Sequence, residues 1–153
     1  MEVGLVSDTH GLLRPEVIPA LQGCQLILHA GDVGGAEILE VLGEVAPVRA
    51  VRGNTDHGAF GATLPLTEVV EVGGHTLFML HIPHDLDLDP SAAGFSAVIS
   101  GHTHRPLVEE RNGVLFVNPG SCGPRRFDYP VTVARMTIDG HGLSVRLIPL
   151  DAA

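Results

Sequence analysis

The chain has 153 residues, 44% hydrophobic and 18% charged. This fits one domain with an ordinary core and excludes a disordered chain. Nine Asp and nine Glu stand against nine Arg and no Lys, a net charge of −9 at pH 7, so general nucleic-acid or membrane binding is not expected. In chain order, a strand is predicted over residues 2–6 and a short helix over 14–21, with Pro15 near its start. A strand over 26–28 follows. Next comes a helix over 35–42, with Ile38, Leu39 and Leu42 on one face and Glu37 and Glu40 outside, and then a strand over 48–51. This order predicts a parallel sheet with right-handed crossovers.

The remainder reads differently. Gly73-Gly74 separates extended runs 68–72 and 76–80, Asn112-Gly113 separates 107–110 and 114–117, and Asp139-Gly140 separates 131–138 and 143–148. Each is a hairpin signature. A further short apolar run covers 97–99. Hairpins added to a parallel unit predict an α/β fold, either one mixed sheet or two packed sheets, with helices outside. Segments 56–65 and 83–95 are expected to be long, mobile loops. No repeat or linker divides residues 1–153, so one domain is expected. No apolar run approaches the ~20 residues of a membrane span. The start Met1-Glu2-Val3 lacks the basic and apolar regions of a secretion signal. With Cys24 and Cys122 far apart and outside any CxxC pattern, reduced thiols in a cytoplasmic protein are expected, one disulfide remaining open.

The polar residues that end the apolar runs carry the chemistry. Asp8 and His10 follow the first strand, His29, Gly31 and Asp32 the second, and Gly53 and Asn54 the third. His81 follows the run ending at residue 80, and Gly101, His102 and His104 follow the run 97–99. The carboxyl ends of parallel strands share one edge, where ligands bind, so Asp8, His10, Asp32, Asn54, His81, His102 and His104 can converge on one crevice. Carboxylate, amide oxygen and imidazole together suit Mn, Fe or Zn better than Mg or Ca. Two such ions lower the pKa of a shared water and clamp both oxygens of an in-line displacement. Against Asp8, Asp32 and one hydroxide, two divalent ions leave a locally positive centre in an acidic protein, which points to an anionic substrate. Arg52 and Arg105 flank the motifs and are placed to bind phosphate oxygens. A metallo-β-lactamase pattern needs His-x-His-x-Asp-His, which residues 101–106 do not provide. Asp85, Asp87 and Asp89 imitate a calcium loop, but Pro90 and Ser96 occupy the positions that need Gly and Glu.

Asp8-x-His10, Gly31-Asp32, Gly53-Asn54-Thr55-Asp56, His81 and Gly101-His102-Thr103-His104, in this order, resemble the calcineurin-like metallophosphoesterase family. The short length and Asn118-Pro119-Gly120-Ser121 are similar to its small single-domain phosphodiesterase branch, which includes the metallophosphoesterase-fold subunit of the eukaryotic retromer complex. The resemblance implies a four-layer α-β-β-α sandwich, two mixed sheets face to face with helices outside. It also implies hydrolysis of a small phosphate ester by in-line attack of a hydroxide bridging two divalent metals, Mn first, with Fe, Zn, Ni or Co as alternatives. One ion would be held by Asp8, His10, Asp32 and His104, the other by Asp32, Asn54, His81 and His102. Asp32, Asn54 and His102 would be catalytic, and Arg52 and Arg105 would bind substrate. Thr55 stands where many members carry a general-acid His, which favours a phosphodiester with a good leaving group over a phosphomonoester. His57 lies nearby as a substitute donor or an exposed loop residue. His81-Ile82-Pro83-His84 replaces the usual His-Gly, with His81 the expected ligand and His84 the reserve. An inactive protein-binding scaffold of the same fold is the competing reading, and a homo-oligomer stays open.

Overall fold

β1 (Glu2–Val6) sends Val3 and Leu5 to one face of a sheet and Val6 to the other. The computed structural model, which describes residues 1–150, carries this alternation through two sheets. The other elements are α1 (Val17–Ala20), β2 (Leu26–His29), α2 (Ala36–Gly43), β3 (Val48–Ala50), α3 (Gly58–Ala62), β4 (Thr67–Val72), β5 (His75–Leu80), β6 (Ala97–Ile99), β7 (Leu107–Arg111), β8 (Val114–Asn118), β9 (Thr132–Asp139) and β10 (Gly142–Pro149). The first sheet has the order β10-β9-β1-β2-β3 and the second β4-β5-β6-β8-β7. Within them β1, β2 and β3 run parallel, as do β5, β6 and β8, while the three hairpins pair antiparallel.

The fold is therefore α/β with two mixed five-stranded sheets packed as a sandwich. Val3, Leu5 and Leu28 of the first sheet meet Leu77, Met79 and Ile99 of the second in one apolar cluster. Each such side chain, fully buried, contributes about 1.5–3 kcal/mol. On the outer face of the first sheet, Val6 and Ile27 pack against Val17 and Leu21 from the α1 region, Ile38 and Leu42 of α2, and Phe60 of α3. The outer face of the second sheet is covered more thinly. Phe78, Leu80, Val98 and Val114 meet Leu86, Phe95 and Phe116, with the Phe78 and Phe95 rings stacked at 5.2 Å. One 3-10 turn (Pro83–Asp85) and the segment 86–95 form this layer, without an α-helix.

Three local expectations are revised. The helix predicted over 14–21 shrinks to Val17–Ala20, because Pro19 has no N–H to bond the carbonyl of Pro15. The loop predicted over 56–65 contains α3, whose sequence Gly-Ala-Phe-Gly-Ala disfavours helix. Packing of Phe60 into the outer cluster overrides that propensity. The third hairpin turns at Gly140-His141, since Asp139 pairs with Gly142. The Asp139 carboxylate accepts the His141 N–H at 2.8 Å and moves the turn one residue on.

Candidate metal centre

The parallel strands of both sheets end at one rim. Beyond β1 and β2 the loops stay paired, with Asp8 N–H donating to Gly31 O at 3.0 Å and His10 N–H to Asp32 O at 2.9 Å. In the second sheet Gly101 N–H donates to His81 O at 2.9 Å. The backbone turns sharply here. Asp8, His10, Asp32, His102 and His104 have φ of 57°, 47°, 56°, 73° and 63°. Only two other non-glycine residues among those described share this left-handed region, Asn112 and Phe127. Such conformations are costly for L-residues and cluster where function holds them.

Each carboxylate keeps one oxygen tied and one facing inward. Asp8 Oδ2 accepts from the Ser7 hydroxyl at 2.7 Å and from His102 N–H at 3.1 Å. Its Oδ1 lies 3.7 Å from His10 Nε2, 3.8 Å from His81 Nε2 and 3.4 Å from His104 Nε2. Asp32 Oδ1 accepts from Thr55 N–H at 2.9 Å, while Oδ2 lies 3.1 Å from His81 Nε2 and 3.6 Å from His10 Nε2. His81 Nδ1 donates to Ala30 O at 2.7 Å. A carbonyl only accepts, so Nδ1 carries the proton and the Nε2 lone pair faces the carboxylates. His102 Nδ1 donates to Asn54 Oδ1 at 3.1 Å on the exposed side.

Asp8 Oδ1, His10 Nε2, His81 Nε2 and His104 Nδ1 are buried without a hydrogen-bond partner. Buried polar atoms normally have partners, and these are the hard-oxygen and imidazole donors that bind divalent transition metals. Their residues belong to two sets, Asp8, His10 and His104, and His81 with Asp32 and His102, each with donor atoms within 4.8 Å of one another. The residues fit metal binding. All seven predicted donors lie at this rim, with Asn54 joined to His102.

Electrostatics keeps both carboxylates ionised. Burial alone would raise the Asp8 carboxyl, but the His10 and His104 imidazoles outweigh it and hold the group far below the usual carboxylate range. Burial opposes Asp32 in the same way, yet His81 and the Thr55 N–H bring it down to about 2. Burial pulls His81 down, and its Asp32 contact more than reverses this, so the imidazole is raised.

Close approach shapes the loops. A Cβ on Gly101 would lie 2.0 Å from Ser7 Oγ and 2.8 Å from Asp8 Oδ2, and one on Gly31 would lie 2.6 Å from His81 Nδ1. Positioning residues complete the frame. The buried Asp56 carboxylate accepts N–H groups of Val33 at 3.0 Å, Gly34 at 3.2 Å and Gly53 at 2.9 Å, clamping the turns after β2 and β3. In the sequence Asp56 stands out only as part of a motif, because its partners Val33 and Gly34 lie more than twenty residues away. His29, fully buried, accepts Gly31 N–H at Nδ1, 3.1 Å, so Nε2–H donates to Thr9 Oγ1 at 3.0 Å, and Thr9 donates to Val33 O at 2.6 Å. Burial lowers His29 to about 4. It organises the turns and touches no metal donor.

The remaining candidates separate. Arg52 Nε donates to Asp56 O at 3.1 Å, and Arg52 lines a cavity of about 550 Å³ with Asn54, His57 and His81. Arg105 lines a second cavity of about 370 Å³ with Thr103, Phe116 and Tyr129. His84 lies in the 3-10 turn and belongs to neither donor set. Cys24 and Cys122 are buried free thiols, with burial raising Cys122 to about 12.

The calcineurin-like phosphoesterase superfamily domain matches residues 1–141. A probable metallophosphoesterase of Methanothermobacter thermautotrophicus is 35% identical, covering 99% of this chain and 94% of its own. The phosphodiesterase YfcE of Escherichia coli K12 is 32% identical, covering 91% and 89%. The structure of an archaeal phosphodiesterase, at 24% identity, superposes with a TM-score of 0.82 over 98% of this chain and 100% of that one. The chain belongs to the calcineurin-like phosphoesterase superfamily.

Proposed function

We propose that this protein is a binuclear metal-dependent phosphodiesterase of the cytoplasm. The observation that carries the reading is the set of buried, unpartnered donor atoms drawn from both sheets to one rim. Asp8, His10 and His104 would hold one ion, and Asn54, His81 and His102 the other, with Asp32 between them. The mixed donor set favours Mn over Mg or Ca. When bound, the ions lower the pKa of a water and neutralise charge on the phosphoryl group.

The protein's own groups do the positioning. Asp8 and Asp32 stay ionised well below neutral pH and give the centre its affinity for cations. Ser7, Thr55 and Ala30 fix the two carboxylates and His81, so little reorganisation accompanies binding. His102 and Asn54 stand on the exposed side, where they face an incoming phosphate. Arg52 and Arg105, one on each flank, supply donors for its oxygens. Thr55 offers no imidazole to a departing alkoxide, so a diester with an acidic leaving group is the better substrate.

The test is turnover of bis(p-nitrophenyl) phosphate by Mn-loaded protein, with metal content measured alongside. Two ions per chain and Mn-dependent turnover are expected, both lost in Asp32→Ala. Equal metal content and turnover in wild type and Asp32→Ala would overturn the reading.

A further inference from the structure

The cavity of about 370 Å³ opens on the outer face of the second sheet, beside the donor loop. Leu86, Val98, Phe116 and Tyr129 form apolar and aromatic walls, while Thr103 and Arg105 supply polar ones. Thr103 stands between the metal donors His102 and His104. Its hydroxyl accepts from Asn118 Nδ2 at 3.0 Å, and the same amide donates to Gly101 O at 2.9 Å. Cavity wall and donor loop are therefore one braced unit.

Three further features select an occupant. The chain has five Phe and one Tyr. Phe116 and Tyr129 line this cavity, and Phe127 sits edge-on to Tyr129 at 5.7 Å. Phe127 is 80% exposed and has φ of 54°, an uncommon state for a bulky side chain. Arg111 lies over the Phe116 ring at 4.6 Å but is bonded to Glu109 at 2.8 Å. The Arg105 guanidinium, by contrast, makes no ion pair or hydrogen bond among the described residues. Aromatic walls and an available guanidinium, next to the loop that carries His102 and His104, suit a flat ring beside an anion. The 550 Å³ cavity has Asp85 and Asp87 in its wall instead.

We propose that this cavity seats a flat aromatic ring, an aryl group or a nucleobase, carried by one arm of the phosphodiester. The assignment rests on the phosphodiesterase reading and names its substrate class.

Tyr129 makes the test direct. With one Tyr and no Trp in the chain, tyrosine emission of the protein arises from this cavity alone. Zn-loaded protein is titrated with inorganic phosphate, ribose 5-phosphate and adenosine monophosphate, by calorimetry and by tyrosine emission. Adenosine monophosphate should bind about tenfold tighter than ribose 5-phosphate, as one ring stack supplies, and it alone should quench Tyr129. In Tyr129→Ala, followed by calorimetry, that preference should shrink to about twofold or less, whereas Arg105→Gln should weaken both sugar phosphates alike and leave their ratio in place. Inorganic phosphate affinity should stay unchanged in Tyr129→Ala. Equal binding of the two sugar phosphates, or an intact preference in Tyr129→Ala, would overturn the assignment. If diesters are turned over without any ring preference, the cavity assignment fails and the hydrolase reading stands. If the ring preference appears without turnover of any diester, the cavity assignment stands and the hydrolase reading fails.

Discussion

Asp8 divides its carboxylate between two tasks, Oδ2 bracing the fold through Ser7 and His102 while Oδ1 stays free. The same tension shows in the backbone. His102 is exposed, has φ of 73°, and its side chain touches Asn54 at the surface. Glycine adopts that conformation without the Cβ penalty. His102→Gly should therefore raise the stability of metal-free protein by about 1 kcal/mol and weaken metal binding, read by denaturant midpoints with and without Mn. A loss of stability in the metal-free form would show that the left-handed turn carries no strain. His29 gives a pH prediction. It titrates near 4 in the fold and near 6.5 when unfolded. Between these values the unfolded chain takes up a proton that the folded chain refuses. Stability should fall by up to about 3 kcal/mol as pH drops through this window, and His29 adds no further loss below it. Asp32, depressed to about 2, acts lower, its contribution being lost as pH falls below about 3.8. In His29→Gln the drop between pH 6.5 and 4 should shrink, as urea midpoints across that range would show.

The site's elements are mostly the turns that follow strands, and their precision comes from contacts that sequence spacing hides. The strands, and the meeting of the seven candidate ligands at one rim, were legible, because apolar runs ending in Asp, His or Asn name both the element and the edge where it stops. Two hairpins were legible from Gly73-Gly74 and Asn112-Gly113. The third slipped by one residue, since a side chain, Asp139, set the turn. α3 was hidden by its glycines, and the extent of α1 by Pro19. The clamp by Asp56 was hidden too, because three backbone N–H groups are not a sequence pattern. Asp56→Ala leaves those buried donors unpaired, at about 1–3 kcal/mol each where water does not replace the carboxylate. It should lower stability by several kcal/mol and metal affinity about 10–100-fold, measured by thermal unfolding and calorimetry. Gly101→Ala separates packing from clamping. Its Cβ would overlap Ser7 Oγ and crowd Asp8 Oδ2. Stability should fall by about 1–3 kcal/mol, with metal affinity falling as Asp8 is displaced. Unchanged affinity would mean that Asp8 has room to move.

Across the whole molecule, each donor set spans both sheets. Asp8 and His10 follow β1 of the first sheet and meet His104, which follows β6 of the second. Asp32 follows β2 and meets His81 and His102, which follow β5 and β6. Between the sheets lies the apolar cluster, a non-directional contact that does not by itself fix the rim in register. Ions held at the rim would tie one sheet to the other, and only in the folded state, since the donors are scattered along the chain when it unfolds. An ion at a hundredfold excess over its Kd then stabilises the fold by about 2.7 kcal/mol, which for a chain of this size raises Tm by about 5–10 °C. Chelation should reverse the gain, and Asp32→Ala should lose most of it. The location of the effect separates a tie between sheets from general stabilisation. Amide exchange should slow at Gly31, Val33, Gly101 and His102, in both sheets, while the far turns at Gly73-Gly74 and Asn112-Gly113 stay unchanged. Slowing confined to the loops of one sheet would show that the donors of the other sheet do not share the ion, and the cross-sheet centre would have to be abandoned.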